Sequence, residues 1–159
     1  MSDLDPRDFR AALGRFASGV TVVSTLDDGR PFGMTVSAFS SVSLEPPLVL
    51  VCIAHKAANH DRIARVGRYG VTLLAADQQV LSNHFAGRPD TSLDVRWEVD
   101  GWGAPRLLGG LAFLDCAVHE AVRAGDHTIY VGRVEGVAVA DGAPLVYWRG
   151  GYRALADAT

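Results

Sequence analysis

Small hydroxyl side chains crowd the stretch GMTVSAFSSVSLEPP, Gly33 to Pro47, where a core strand would carry branched residues. Thr35, Ser37, Ser41 and Ser43 share one strand parity, so one face can present a row of hydroxyls and backbone amides while Met34, Val36 and Ala38 face the other way. Such a row suits a ligand rich in carbonyl and ring-nitrogen acceptors, and Gly33 and Ala38 permit close backbone approach. A solvent-facing edge strand accounts for the same pattern. In CIAHKAANHDRIAR a strand ends and a short helix begins near Asn59. Free N–H groups at a helix start, with Lys56 and Asn59 beside them, can hold a phosphate, and Asn59 also serves as an ordinary N-cap. NHFAGRPD places Phe85 at a helix end and Arg88 just after it, either against a ring and a phosphate or as core filling and a solvated charge. His127 follows Gly125 and Asp126 at the mouth of the strand-like run TIYVGRVE, where it caps a sheet edge or overlooks a bound ring system. Trp148 and Tyr152 flank two glycines, an arrangement that lines a planar ligand or docks a terminal strand on the core.

Several reaction classes lose support. No GxGxxG opens a helix, and GxxxxGK[ST], GxSxG and HExxH are all missing. His55, His60, His84 and His119 have no partner at ligand spacing, so no metal is expected. The net charge is -3 and the 15 basic residues, Lys56 the one lysine among them, are scattered rather than striped, which argues against nucleic acid. Cys52 and Cys116 stand far apart inside apolar runs, as free thiols do in a reducing cytoplasm. The start, MSDLDPRDFR, is polar where a signal peptide needs a basic and then an apolar stretch. No run approaches the ~18 apolar residues of a membrane helix, so a cytoplasmic protein off the membrane is expected.

The elements that must position these residues are mostly strands. At 159 residues and 48% hydrophobic, the chain suits one domain over 1–159. Asp5 and Pro6 start an amphipathic helix over about 6–18 that Ser18 and Gly19 stop. VTVVST and PFGMTVS make a hairpin about an Asp-Gly turn, and PPLVLVCIA, YGVTLLA, LAFLDCAVHEAV, TIYVGRVEGVAVA and PLVYW supply further strands. Two short helices, over 59–66 and from Asp77 to Gly87, interrupt them, and Gly136 and Gly142 read as a bulge and a turn. With about seven strands and few crossovers, closure into a small antiparallel barrel over about 19–153 removes the open edges.

Taken in order, FASGVTVVS, GMTVSAFSSVSLEPPLVLVCI, HFAG, LDCAVHE and GDHTIYVGRVE resemble the short-chain flavin reductases that serve two-component monooxygenases, in the flavin-reductase-like, FMN-binding split-barrel group. The likeness runs from about Phe9 to Tyr152. It implies a mainly β protein with short helices, a homodimer of closed antiparallel split barrels, and FMN or FAD held at the subunit interface. NADH or NADPH would deliver hydride, and a separate monooxygenase would take the reduced flavin. On the matching positions, Met34, Thr35, Ser37 and Ala38 would line the isoalloxazine, with Ser40 and Ser41 toward the ribityl-phosphate side. Cys52 and Ile53 would offer backbone contacts to the ring, Lys56 and Asn59 would lie toward the phosphate, and Phe85 with Arg88 would close that side. His127 matches the histidine of a Gly-Asp-His motif at the nicotinamide approach, with Tyr152 nearby; Asn59 stands where a small hydroxyl residue would be expected. Two rivals share the barrel: a flavin-dependent oxidase of a small substrate, and a non-catalytic flavin- or heme-binding protein. Hydride transfer between ring systems needs no general base, which suits a chain without an acid–base dyad.

Overall fold

A computed structural model describes residues 4–156. Helix α1 (Pro6–Leu13) begins as its sequence dictates: Pro6 takes the first turn, and the Asp5 carboxylate accepts from the Arg7 amide at 2.8 Å. It ends at Leu13, five residues short of the expected stop. The Gly14 amide turns back to the Arg10 carbonyl, while Ser18 and Gly19 form strand β1 (Ser18–Gly19).

Strands β2 (Thr21–Asp27) and β3 (Arg30–Val36) form the expected hairpin. Its two turn residues, Asp28 and Gly29, both have positive φ, 50° and 70°, the setting that matches a two-residue turn to the right-handed twist of strands. Five successive residues of β2 are buried because the strand is covered on both faces. Val23 joins a main core of Val51, Ile53, Ile63, Tyr69, Cys116 and Tyr130, and Val22 joins a smaller one with Leu74, Leu107 and Leu145.

The remaining large strands are β4 (Phe39–Leu44), β5 (Pro47–Ala54), β6 (Arg68–Leu73), β9 (Ala112–Ala124) and β10 (His127–Val139). They build a seven-stranded antiparallel sheet in the order β3-β2-β6-β9-β10-β5-β4. The hydrogen-bonded order is open, with β3 and β4 at its two ends, where the sequence pointed to a closed barrel. Ser37 and Ala38 join those two end strands directly, so the supposed single run from Met34 to Ser43 is broken between two strands. The hydroxyls counted along one face do not share one face. Register shifts fall beside Gly132 and at Gly136, the latter the expected bulge.

Two small sheets cover the ends: β7 (Trp97–Glu98) with β8 (Arg106–Leu107), and β1 with β11 (Val146–Trp148) and β12 (Gly151–Arg153). Helices α2 (Ala58–Val66) and α3 (Gln79–Phe85) complete the fold, α2 ending on Gly67 in the left-handed conformation. No helix among the described residues is long and apolar enough to cross a membrane.

Candidate functional site

The broken run between β3 and β4 is where space opens. Ser37, Ala38, Phe39 and Ser40 form one wall of a cleft of about 490 Å³, with Leu50 and Cys52 of β5 beside them. Leu13, Gly14 and Phe16 from the end of α1, and Tyr147 to Gly150 from the β11–β12 turn, form the other. Ser37 is shared with two neighbouring cavities. One of about 340 Å³ is walled by Val20, Leu73, Leu74, Leu111 and Leu145, and one of about 160 Å³ includes Thr35, Ser82 and Tyr152. Volumes of this size suit a small-molecule ligand. Apolar walls of Phe16, Phe39, Leu50 and Trp148, with hydroxyls from Ser18, Ser37 and Ser40, suit a flat heteroaromatic ring that carries carbonyl acceptors.

Seven of the residues singled out from the sequence therefore meet at this cleft or its branch: Ser37, Ala38, Ser40, Cys52 and Trp148 directly, and Thr35 and Tyr152 through the smaller cavity. Their polar atoms are not all free. The Thr35 hydroxyl donates to the Ser82 carbonyl at 2.6 Å, and the Cys52 amide donates to the Ala38 carbonyl at 3.1 Å, pinning the strand link to β5. Burial raises the Cys52 thiol above its ordinary pKa and pushes that of Cys116, in the core, up to about 12, so both stay protonated near neutrality. The Tyr152 hydroxyl bridges the Ser82 hydroxyl at 2.7 Å and the Asn83 side-chain oxygen at 3.1 Å. Tyr152→Phe should lower stability by about 1–2 kcal/mol, measured as the urea midpoint at constant slope. An unchanged midpoint would show that water replaces both bonds.

The other predicted residues lie elsewhere. Met34 packs against the main core, Ile53 is fully buried within it, and Ser41 is exposed on β4. Lys56 and Arg88 are exposed. Phe85 lies edge-on to Trp97, 5.6 Å between ring centres, and a β carbon on Gly33 would come within 2.9 Å of it. Asn59 is buried one residue inside α2, whose N-cap is Ala57. Its side-chain oxygen accepts from Arg62 at 3.2 Å and its amide nitrogen has no partner.

His127 opens β10 opposite Ala54, and the Cys52–Ile129 pair is the next on the same face of the β5–β10 ladder. Its row therefore lies about 7 Å along the strands from the Cys52 wall. The imidazole is half exposed, with Nδ1 2.7 Å from the Asp126 carboxylate, and that contact holds the Asp126 carboxyl below its usual pKa.

Behind His127 lies an arrangement that histidine spacing did not reveal. Thr128 Oγ1 meets His55 Nε2 at 3.2 Å and His60 Nε2 at 2.8 Å, and His60 Nδ1 faces Asp61 at 2.8 Å. One assignment satisfies all three contacts: His60 Nδ1–H donates to Asp61, Thr128 O–H donates to His60, and His55 N–H donates to Thr128. With the His55 amide bonded to the Asp126 carbonyl at 2.9 Å, the loop after β5 is tied to the start of β10. The sheet register, not the spacing of the histidines, is what brings them together.

The family model described as "Flavin reductase like domain" matches residues 13–156. An NADH-dependent flavin reductase of a Rhodococcus species is 47% identical over 156 residues, covering 96% of this chain and 88% of that protein. The reductase subunit HsaB of a flavin-dependent monooxygenase from Rhodococcus jostii is 38% identical over 154 residues, 96% of this chain and 79% of its own length. Among solved structures, flavin reductase PheA2 in its native state superimposes with a TM-score of 0.93 at 44% identity, covering 97% of this chain and all of that one.

Proposed function

Because this chain belongs to the flavin-reductase-like domain family, we propose that its cleft serves the reaction named for its relatives, reduction of FMN or FAD by NADH. The protein is an NADH-dependent flavin oxidoreductase that supplies reduced flavin to a separate monooxygenase component. The observation that carries the reading onto particular residues is the convergence of three cavities on Ser37 at the link between β3 and β4.

When bound, the flavin supplies the ring that accepts hydride, and the chain's task is to hold, orient and shield. Ser37 and Ser40 are placed to donate to ring carbonyl or nitrogen acceptors, and Ala38 keeps the wall low enough for a ring to lie flat. Phe16, Phe39 and Trp148 exclude water. His127, fixed by the clamp around Thr128, guides the nicotinamide toward the Cys52 wall. Met34, Thr35, Ile53 and Tyr152 support the cleft from behind, and Lys56, Arg88 and Ser41, exposed outside it, meet the ligand's tail or a second copy of the chain, while Asn59 packs within α2 and Phe85 against Trp97. No side chain has to exchange a proton for hydride to pass.

A homodimer of split barrels, each a single domain over 1–159 and working in the cytoplasm, is the form we assign to it. Two features support the pairing. The outward row Leu50, Cys52, Ile129, Val131 and Val122 is largely apolar, and α1 carries Phe9 and Leu13 exposed at 51% and 58%, with Phe16 just beyond it at 81%. Light scattering at micromolar concentration should give twice the 16.9 kDa chain mass; the chain mass itself would rule the dimer out.

The reaction is tested by mixing purified protein with NADH and free FMN or FAD and following nicotinamide absorbance. Rapid loss that depends on added flavin is expected. No loss with either flavin would favour a non-catalytic barrel, and one equivalent of flavin retained through extended dialysis would favour an oxidase.

A further inference from the structure

We infer that the end of α1 and the β11–β12 turn together form a binding site for the pyrophosphate of a dinucleotide. A cavity of about 230 Å³ lies between them, lined by Arg10, Ala11, Gly14, Arg15, Arg149 and Gly150. Half of those residues carry a guanidinium. Among the described residues no carboxylate lies within 4.0 Å of any of the three. Other clustered arginines share acids: Arg62 and Arg65 share Asp27, and Arg68 is held between Asp115 and Glu135. Among the described residues no acid plays that part at the α1 site, which leaves it open to an anionic ligand.

The cluster is built rather than scattered. The Arg149 amide donates to the Gly14 carbonyl at 3.0 Å, and the Trp148 indole N–H donates to the Arg15 carbonyl at 3.1 Å. Two hydrogen bonds thus join segments more than 130 positions apart and bring Arg10, Arg15 and Arg149 to the lining of one cavity. Arg149 has φ of 51°, left-handed backbone that a β carbon disfavours and that glycine would adopt freely. Its guanidinium lies over the Trp148 ring, 5.3 Å from the centre. A basic residue in the last turn of α1 also complements the helix dipole, which accounts for Arg10 but not for Arg149, delivered from a different element.

Position identifies the ligand. The arginine cavity shares Gly14, Arg149 and Gly150 with the 490 Å³ cleft, so a molecule whose ring occupies the cleft has its phosphates within reach of the guanidinium forks. Forked donors suit phosphate oxygens, and several guanidinium groups suit the doubled charge of a pyrophosphate. Which dinucleotide brings it, FAD or the nicotinamide coenzyme, rests on the reductase reading above; the anion site itself does not.

The test titrates the full-length protein with FAD, FMN and NAD⁺ by calorimetry, comparing the wild type with Arg149→Gly and Arg10→Gln. Glycine suits the backbone at 149 and position 10 is an exposed helical one, so both variants should keep the wild-type melting temperature. Weakening of Kd by roughly 3- to 10-fold for FAD alone assigns the cluster to the flavin's pyrophosphate, and the same change for NAD⁺ alone assigns it to the hydride donor. Arg149→Lys, which keeps the charge, should recover part of the loss. Unchanged Kd for both dinucleotides in both variants, or equal weakening of FMN, overturns the proposal. Because binding is read without turnover, a protein that binds dinucleotide through these arginines but oxidises no NADH would sink the reductase reading and leave the anion site standing.

Discussion

Replacing Tyr69 by alanine should cost about 3–5 kcal/mol, the range for losing a large buried ring, and lower Tm by roughly 6–20 °C. Tyr69 is fully buried at the centre of the main core, its hydroxyl donating to the Tyr130 carbonyl at 3.1 Å. The ring passes so close to Gly132 that a β carbon there would sit 2.7 Å from Tyr69 Cζ and 2.9 Å from the Cys116 β carbon. The glycine leaves a slot and the tyrosine fills it, so truncation leaves a cavity that strands β9 and β10 cannot close without losing their ladder. Tyr69→Phe, which keeps the ring and drops one hydrogen bond, should cost about 1 kcal/mol. A melting shift no larger for alanine than for phenylalanine would show that the core collapses around the gap.

His127→Ala should separate hydride delivery from flavin binding. The imidazole stands one side-chain row beyond the Cys52 wall and outside the cleft lining, so its removal should leave flavin Kd nearly intact while kcat/KM for NADH falls roughly 5- to 150-fold, the loss of one contact of ~1–3 kcal/mol. Because the side chain is half exposed and the clamp runs through Thr128, His55 and His60, the variant should fold as the wild type does. Loss of flavin affinity with nicotinamide kinetics preserved would move His127 to the flavin's side. Wild-type values throughout would remove it from the site.

Periodicity carries the large strands well. Val22 and Val23, Val49 to Ile53 and the long β9–β10 pair read as strands and are strands, and Asp28-Gly29 turns the chain where a positive-φ pair must. Small residues are where the reading slips. Ser37 and Ala38 are compatible with strand or link alike, so alternation counted through them placed Thr35 and Ser41 on one face when they belong to different strands. Phe9, Leu13 and Phe16 kept helical spacing past the point where Gly14 ends the helix, because hydrophobic period does not register a chain that leaves to pair with β11. Trp148 was marked by the glycine pair beside it, but Phe16 and Arg149 had no local signal, since each is ordinary until the opposite end of the fold arrives. The same holds for His55 and His60, which meet only through Thr128.

The join between α1 and the β11–β12 turn has a consequence for synthesis on the ribosome. The seven-stranded sheet is complete once β10, ending at Val139, has emerged, yet β1 has no partner until Val146 and Tyr147 appear, and the Gly14 and Arg15 carbonyls have none until Trp148 and Arg149 follow. A nascent chain therefore carries a formed core with a half-built cleft, one wall present and the other unanchored. A chain cut between residues 139 and 148 would keep every strand of the seven-stranded sheet while α1 and β1 have nothing to dock on.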